Sequence, residues 1–384
     1  MKIGIDARFY GSLGKGLGRY TEKLLTYLEC IPDDTHSYVI FLRQENFDEY
    51  QPTHHRFKKV IADYPWYGWQ EQFFFPLLLS RHHLDLVHFP HFNVPLLVHE
   101  PFIVTIHDLI LLHFPTVKAS ELPPFLYWLK YLAYRTVIAL AIRRSRAIVA
   151  VSSFTERDIE SSYPAARGKI FVTLEAADPY CSWLHPESEQ RLFERLGLQR
   201  SESFSDSLET KPFVLYVGNA YPHKNLRVLL EVAPAFSDTL FLCVGKDDYF
   251  YRSFQEQVAA AGVANIHFAG YLDDASLGAL YRRASIYFFP SLYEGFGLPG
   301  LEAMNYGTPV VAARAGSLPE IYGRAAIYFD PNDTADCIVA LRKAFRKEGR
   351  EMCRIQGFAQ AKQFSWDRMA RDTLRLYVTA QKKR

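Results

Sequence analysis

The chain alternates short apolar segments with longer segments of helical spacing, and this alternation occurs twice. In the first half, the β-branched or aromatic segments are residues 2–6, 38–42, 86–88, 102–106 and 147–151. In the second half, they are residues 213–217, 240–244, 266–269, 286–289 and 309–312. Strands that alternate with helices in this way predict a parallel sheet with helices on both faces. We therefore expect an α/β chain with two doubly wound, Rossmann-like domains.

The length and one polar segment locate the boundary between these domains. A chain of 384 residues is longer than one ordinary core requires. Residues 178–211 contain SESFSDSLET, which is polar and poor in large apolar residues, as linkers and loops are. We predict an N-terminal domain over residues 1–180 and a C-terminal domain over residues 181–365. Residues 366–384 have helical spacing, and we expect this helix to pack back on the N-terminal domain.

The charge and the cysteines exclude several classes of protein. The 44 basic residues nearly balance the 42 acidic ones, and the net charge of +2 gives no basic surface for a nucleic acid partner. The five cysteines are scattered, without a CxxC spacing, which indicates a reduced, cytoplasmic compartment and argues against a zinc site. The first residues, MKIGIDARFYG, lack the apolar core of a signal peptide.

One segment is strongly apolar and continues into basic residues. Residues 125–142, FLYWLKYLAYRTVIALAI, include Lys130 and Arg135, and three arginines follow within residues 143–146. We interpret the segment as a mostly buried helix whose basic side chains reach solvent. Docking of this helix on an anionic membrane surface, at the inner face of the membrane, is the alternative.

Two glutamates flank a glycine-rich turn in the second half. The segment YEGFGLPGLEAMNYGTPVV contains Glu294 and Glu302 and follows a predicted strand, at the edge where open α/β sheets bind ligands. Pro299 is well placed as the first residue of a helix, and Gly307 as the residue that ends it. We expect free N–H groups at the start of this helix, where anions or hydroxyls bind. Carboxylates accept hydrogen bonds from vicinal hydroxyls, so the pattern predicts a site for a sugar and a ribose.

Several segments together resemble one enzyme family. EGFGLPGLEAMNYGTPVVAARAGSLPE resembles the E-x7-E region of the retaining glycosyltransferases of family four, which have the two-domain GT-B fold. GIDARFYGSLGKGLGRYTEKLL is similar to the family's N-terminal glycine-rich loop, LYVGNAYPHKNL to its phosphate-binding strand and loop, and GYLDDASLGALYRRA to its base-contacting region. VTIHDLI and AIVAVSSFTERDI complete the set. Within the family, this combination is similar to bacterial mannosyltransferases that build surface polysaccharides.

The resemblance implies roles for the residues of the turn. It implies that Glu302 holds the ribose hydroxyls of a nucleotide and that Glu294, as a catalytic residue, contacts the transferred sugar. The amides of Phe296, Gly297 and Leu298 are implied to bind sugar hydroxyls. In the base-contacting region, the corresponding donor-binding residue is Leu272.

Phosphate binding is implied for Lys224, which immediately precedes Asn225, a good N-cap residue. Many family members have an arginine just after the glycine of the preceding strand. That position is Asn219 here, and it carries no charge. We therefore expect the phosphates to depend more on Lys224 and on backbone groups near Gly16 and Gly218.

A histidine follows another predicted strand in the first half. The resemblance makes His107 a sugar-contacting residue of the reaction centre, and we expect Asp108 to orient it. The histidines at 82, 83, 88 and 91 are interpreted as packed structure or as lining of an acceptor pocket, in preference to a metal site.

The resemblance also implies a mechanism without metal or other cofactor. The chain has no Asp-x-Asp triplet, and enzymes with this fold generally need no divalent ion. Transfer would retain the anomeric configuration, with the leaving phosphate taking the acceptor proton and no protein base. The expected reaction moves mannose from GDP-mannose to a glycan or lipid-linked acceptor. A UDP-sugar-dependent glucosyl- or galactosyltransferase, a sugar-nucleotide 2-epimerase and a non-catalytic nucleotide-sugar-binding protein are the alternatives.

Overall fold

A computed structural model describes residues 1–11, 15–115, 124–179, 184–198 and 212–382. The chain divides into two compact units, Met1–Glu175 with Ser365–Arg384, and Ala176–Phe364. The division after residue 175 lies slightly before the position predicted from the polar segment. The C-terminal helix belongs to the N-terminal unit, where it packs on the first helix of the chain.

Each unit contains one parallel sheet. The N-terminal sheet has the strand order β3-β2-β1-β4-β5-β6-β7 and the C-terminal sheet the order β10-β9-β8-β11-β12-β13. The strands are β1 Lys2–Asp6, β2 Ser37–Leu42, β3 Phe57–Ile61, β4 Leu86–Phe89, β5 Phe102–Ile106, β6 Ala147–Ala150, β7 Ile170–Val172, β8 Phe213–Val217, β9 Leu240–Val244, β10 Ile266–Gly270, β11 Ile286–Phe289, β12 Val310–Ala313 and β13 Ala326–Phe329. Both orders begin at an edge, run back to the first strand of the sheet and then continue outward, as in doubly wound folds.

Helices connect these strands. Within the described residues they are α1 Lys15–Cys30, α2 Trp69–Ser80, α3 Ile110–His113, α4 Pro124–Arg144, α5 Ser153–Ser162, α6 Pro186–Arg195, α7 Leu229–Val232, α8 Tyr249–Ala261, α9 Asp274–Arg283, α10 Leu298–Asn305, α11 Leu318–Tyr322, α12 Thr334–Phe345, α13 Lys347–Ala361 and α14 Trp366–Lys382. Short 3-10 turns occur at Gln44–Asn46, Pro164–Ala166, Pro222–Lys224, Leu226–Val228 and Ala233–Ala235.

The central strands were predictable because they are buried on both faces. The sequences FIVTI of β5, AIVA of β6 and IYFF of β11 are buried at every position. Such continuous apolar runs are typical of parallel strands that are covered by helices on both sides. The prediction of two doubly wound sheets is confirmed.

Three strands were not predicted, and all three lie at sheet edges. These are β3, β7 and β13. In β3, FKKVI has two lysines, and lysine is common on edge strands because it discourages pairing with another chain. The lysines of β3 therefore interrupt the apolar run that identifies a central strand, whereas β7 (IFV) and β13 (AIYF) are short apolar segments that the sequence analysis did not recognise.

The helix α4 differs from its predicted burial. Its second half is buried through Ile138, Ala141 and Ile142, whereas Trp128 and Leu132 of its first half are more than half exposed. The interpretation of a mostly buried helix is therefore wrong for the first half, because only the second half packs against the sheet core. Among the helices that the structure describes, none is long and apolar enough to cross a bilayer.

Candidate functional site

The turn between β11 and α10 holds the two predicted glutamates. Glu294 lies on the loop with 7% of its surface exposed, and Glu302 lies in α10 with 5% exposed. The helix begins at Leu298, so Pro299 occupies the second helical position and not the predicted first one. Gly307 follows the helix in a left-handed conformation, with φ 71°, as predicted. Both carboxylates thus come from one short loop-helix segment that follows the carboxyl end of β11.

Two glycines let α11 pack closely against this turn. Gly297 has φ 99°, and a Cβ there would lie 2.7 Å from both Leu318 Cδ2 and Tyr322 Oη. A Cβ on Gly300 would overlap the ring of Tyr322. A left-handed backbone in contact with a buried tyrosine accepts only glycine without strain. The path of the turn is therefore fixed by the packing of α11.

The loop before α11 supports the backbone of the turn from behind. A Cβ on Gly316 would lie 2.7 Å from the Glu294 nitrogen. Ser317 donates from its N–H to the Glu294 carbonyl at 3.2 Å and from its hydroxyl to the Phe296 carbonyl at 2.9 Å. The Tyr322 hydroxyl donates to the Gly297 carbonyl. Sequence reasoning missed these supporting residues, since they lie on a different strand connection.

The same turn leaves three backbone donors unused. In the described part of the chain, no group accepts a hydrogen bond from the N–H of Phe296, Gly297 or Leu298. The carbonyls of Phe296 and Gly297 are held in place by Ser317 and Tyr322, and the positive end of the α10 dipole lies at the same point. These amides are thus oriented to bind an anion or hydroxyls.

Lys224 and Glu294 form an ion pair. The Lys224 Nζ lies 2.6 Å from Glu294 Oε1, with the two side chains 15% and 9% exposed, and 5.6 Å from the centre of the Phe289 ring. The pair joins the loop after β8 to the loop after β11, two adjacent strands of the sheet. The structure therefore brings the predicted phosphate ligand and the predicted sugar ligand together, as a charge-assisted hydrogen bond.

The residue after Lys224 does not act as predicted. Asn225 is left-handed, with φ 54°, and its side chain caps no helix. It donates from Nδ2 to the Pro331 carbonyl at 3.3 Å. The N-cap prediction is wrong because the chain continues into a second short 3-10 turn, and asparagine tolerates the left-handed link between the two turns.

A buried histidine precedes the lysine. Burial, together with the adjacent Lys224 charge, lowers the pKa of His223 to about 4. Its carbonyl accepts a hydrogen bond from the Leu292 N–H at 2.7 Å, which fastens the two loops together. His223 is neutral at neutral pH, so Lys224 is the cation beside Glu294.

Glu302 is held by a tyrosine of α9, in the segment for which the resemblance implied base contact. Tyr281 of α9 is fully buried and donates from its hydroxyl to Glu302 Oε2 at 3.0 Å. Its ring stacks on Tyr306 at 5.8 Å, and its carbonyl accepts from the Thr308 hydroxyl. Sequence reasoning missed Tyr281 because an aromatic residue within an apolar helix face is ordinarily a core residue. Its hydroxyl fixes one oxygen of Glu302 and leaves the carboxylate at a defined position.

The other predicted donor-binding residues of this unit lie after the carboxyl ends of β8 and β10, which flank β9 in the sheet. Gly218 follows β8, and its carbonyl accepts from the Tyr251 hydroxyl at 2.9 Å. The Asn219 carbonyl accepts a hydrogen bond from the Tyr216 hydroxyl, and its Oδ1 accepts one from the Tyr221 N–H at 3.3 Å. Leu272 is buried after β10. All of these residues belong to the C-terminal unit, whereas Gly16 and His107 belong to the N-terminal unit.

His107 contacts two hydrogen-bond acceptors. Its Nδ1 lies 2.9 Å from Glu175 Oε1, and its Nε2 lies 2.9 Å from the Pro90 carbonyl. Both bonds form together only when both ring nitrogens carry a proton. Burial by itself lowers the pKa of His107, but the Glu175 carboxylate outweighs burial and the pKa is raised. The two acceptors and the raised pKa both favour the protonated, imidazolium form of the ring.

The prediction that Asp108 orients the His107 ring is wrong. Asp108 accepts from the Ile110 N–H at 2.9 Å, at the start of α3. Glu175, at the end of the N-terminal unit, is the carboxylate that holds the ring. Glu175 is so distant from His107 along the chain that no local sequence pattern indicates their contact.

The neighbouring histidines are part of packed structure. His88 bonds through Nδ1 to the Tyr377 hydroxyl and through Nε2 to the Thr105 hydroxyl, each at 2.8 Å. Burial lowers the pKa of both His88 and His91 to about 3. In the described ranges, no three metal-ligating side chains form a cluster.

Gly16 does not lie in a loop. Helix α1 begins at Lys15, and Gly16 is exposed in its first turn. A Cβ on Gly16 would meet nothing within 4 Å, whereas a Cβ on Gly18 would overlap the Gly11 carbonyl. The close backbone approach thus belongs to Gly18, and residues 12–14 of the predicted glycine-rich loop lie outside the described residues.

Two family models match the chain. The model described as Glycosyl transferases group 1 matches residues 199–360, and the model described as Glycosyltransferase Family 4 matches residues 14–178. Together these segments take in most of both units. The chain therefore belongs to the family-four glycosyltransferases, and its two parallel-sheet units are the two Rossmann-like domains of the GT-B fold.

Named relatives and a solved structure agree with this family. The chain is 36% identical over 172 residues to O-antigen chain mannosyltransferase B of Escherichia coli, which is 43% of this chain and 45% of that protein. It is 22% identical over 338 residues to O-antigen chain mannosyltransferase RfbU of Salmonella typhimurium, 84% of this chain and 85% of that protein. The match thus spans less than half of the first relative. A structure of Anabaena Alr3699/HepE with UDP and glucose has a TM-score of 0.71 at 17% identity over 99% of this chain and 100% of that chain, which shows the fold alone.

Proposed function

We propose that the protein transfers mannose from GDP-mannose to a glycan or lipid-linked oligosaccharide during the synthesis of a surface polysaccharide. The observation that carries this proposal is the pair of buried carboxylates, Glu294 and Glu302, on either side of a turn with unused amides. The names of both bacterial relatives support mannose as the transferred sugar. The guanine base of the donor rests on the family resemblance.

The donor would bind through complementary hydrogen-bonding groups. Glu302, positioned by Tyr281, offers acceptor oxygens to the two ribose hydroxyls. The amides of the turn face the sugar hydroxyls. Lys224 contacts the diphosphate, and its ammonium has three protons, so it can keep its bond to Glu294 while it binds a phosphate oxygen.

Transfer would proceed with retention at the anomeric carbon. The bond from this carbon to the diphosphate oxygen breaks, and the bond to the acceptor oxygen forms on the same face of the sugar. Lys224 stabilises the negative charge that develops on the leaving diphosphate, which takes the acceptor proton. Both ring nitrogens of His107 already contact acceptors, Glu175 and the Pro90 carbonyl, so the ring is not available as a base.

We further propose that the reaction needs no divalent metal. The absence of an Asp-x-Asp triplet from the sequence supports this proposal. The charge on the diphosphate would instead be balanced by Lys224 and the oriented amides.

Two radiolabelled donors test the function directly. The full chain is incubated with GDP-mannose or UDP-glucose and an oligosaccharide acceptor, and the Glu294→Ala variant serves as the control. The expected result is labelled acceptor from GDP-mannose with the native chain alone. Transfer only from UDP-glucose would show that the donor is a UDP-sugar and not GDP-mannose. A labelled epimer of the nucleotide sugar would identify an epimerase. Binding of the donor with no transfer to any acceptor would contradict an enzymatic function.

A further inference from the structure

The N-terminal unit exposes an apolar face on two helices. Several large apolar side chains of α2 and α4 are more than half exposed, among them Trp69, Phe73, Phe125, Trp128, Leu129 and Leu132. Soluble proteins rarely expose such side chains in one contiguous patch unless the patch binds something. The α2–α4 face, as we define it, consists of residues 69–77 of α2 and the first half of α4, residues 125–134.

The two helices contribute to one groove. A cavity of about 510 Å³ is lined by Trp69 and Gln72 of α2, by Phe92 of the loop after β4, and by Tyr131 and Tyr134 of α4. Phe92 meets Tyr134 edge to face, with ring centres 5.0 Å apart. The apolar surface therefore continues from one helix to the other.

The charge of these helices has one sign at the surface. Helix α4 contains Lys130, Arg135, Arg143 and Arg144 and no acidic residue. The single acid of α2, Glu71, is buried and paired with Arg8 at 2.6 Å. The exposed part of α2 and α4 thus combines apolar and aromatic side chains with cations alone.

We propose that the α2–α4 face docks on the surface of an anionic lipid bilayer. Tryptophan and tyrosine are favoured at the membrane interface, and lysine and arginine are attracted to acidic headgroups. Contact between two copies through this face would bring like charges together, which opposes self-association. The proposal extends the proposed function, because a lipid-linked acceptor would be presented at such a surface.

Vesicle co-sedimentation tests the docking without nucleotide or acceptor. The probes are phosphatidylcholine vesicles and phosphatidylcholine vesicles with added phosphatidylglycerol. We expect the full chain to bind the phosphatidylglycerol vesicles, to bind pure phosphatidylcholine less, and to bind less at high salt because ions screen the attraction. The double variant Trp128→Ser/Leu132→Ser should lower the affinity for phosphatidylglycerol vesicles by at least about tenfold, because it removes apolar area from the face.

Matched variants separate the apolar and the electrostatic parts. Lys130→Gln/Arg135→Gln should reduce binding to phosphatidylglycerol vesicles and flatten its salt dependence. The control variant Val339→Ser/Ile355→Ser changes two apolar residues of the C-terminal unit that are 60% and 71% exposed. We expect this control to bind like the native chain.

Three results would overturn the docking proposal. They are no binding to phosphatidylglycerol vesicles at low salt, equal binding by Trp128→Ser/Leu132→Ser, and a dimer in solution that this double variant dissociates while vesicle binding is unchanged. Transfer to a water-soluble oligosaccharide acceptor is measured on the same variants. Loss of docking with intact transfer leaves the proposed function standing, and docking without any transfer leaves the docking proposal standing.

Discussion

The two units share a strand order but differ in what their polar and apolar residues do. In the C-terminal unit, Glu294, Glu302 and Lys224 are nearly buried and each contacts a residue from another connection of the sheet. In the N-terminal unit, two helices expose a broad apolar and cationic face. The same doubly wound fold can therefore hold a tightly fixed polar site in one unit and expose a broad apolar and cationic face in the other. Substitutions confined to one unit test this difference.

The largest effect is expected for Glu294→Ala in the C-terminal unit. This carboxylate is proposed to contact the transferred sugar, so we expect the transfer rate to fall by about 10²- to 10³-fold. Nucleotide affinity, measured by calorimetry, should stay within a few-fold. Glu348→Ala, at an exposed site on α13, is the control and should change neither quantity. A large loss of nucleotide affinity in Glu294→Ala would show that the two glutamates have exchanged roles.

The second prediction concerns how rigidly the turn is held. Gly297→Ala places a Cβ against Leu318 and Tyr322 at a left-handed φ of 99°, and should lower the free energy of unfolding by about 3 kcal/mol. Gly262→Ala is the matched control, because Gly262 is also left-handed but has open space around it. The control should cost only about 1 kcal/mol. Equal losses in urea denaturation would mean that α11 does not fix the turn.

The third prediction concerns the pKa of His107 in the N-terminal unit. Glu175→Gln removes the carboxylate that raises the pKa of His107, so burial should then lower this pKa, and NMR titration of the ring measures the change. Asp158→Asn removes the carboxylate beside His113 and should leave the pKa of His107 unchanged. An unaltered pKa of His107 in Glu175→Gln would contradict the pairing.

The same variant has a signed effect on stability. Because the folded pKa of His107 lies above its unfolded value, the ring adds to the free energy of unfolding at pH values below the unfolded pKa. This contribution disappears as the pH rises through the folded pKa. Glu175→Gln should therefore lose more stability at pH about 5 than at pH about 8. Urea denaturation at both pH values checks the difference, and an equal loss would oppose a charged His107.

A smaller effect is expected for the tyrosine that holds Glu302. Tyr281→Phe removes one hydrogen bond of 3.0 Å, so nucleotide affinity should fall about fivefold, with kcat nearly constant. Tyr271→Phe, at a residue 79% exposed in the same unit, is the control. If Tyr281→Phe lowered kcat and left nucleotide affinity unchanged, Glu302 would act in the chemical step.

The smallest effect is expected from metal removal. Because Lys224 and the turn amides are proposed to balance the diphosphate charge, EDTA should leave the initial rate of transfer nearly unchanged. The control is the same assay with added manganese. Loss of activity in EDTA that manganese restores would contradict transfer without metal.

The sequence predicted those parts of the fold and site that depend on local patterns. Central strands such as β5 are apolar at each position, and the glutamates and glycines of the 294–307 segment occur at a characteristic spacing. Edge strands such as β3 lack that apolar run. The partners of the site residues were also missed, because they come from distant parts of the chain. Glu175 is 68 residues from His107, and no local pattern joins them.

The position of the nucleotide tests the proposed site most directly. It can be measured by crystallography of the full chain with bound GDP. We predict that the ribose hydroxyls lie within about 3 Å of the Glu302 carboxylate and that the diphosphate contacts Lys224. A nucleotide bound with no contact to residues 294–302 would contradict the proposed function.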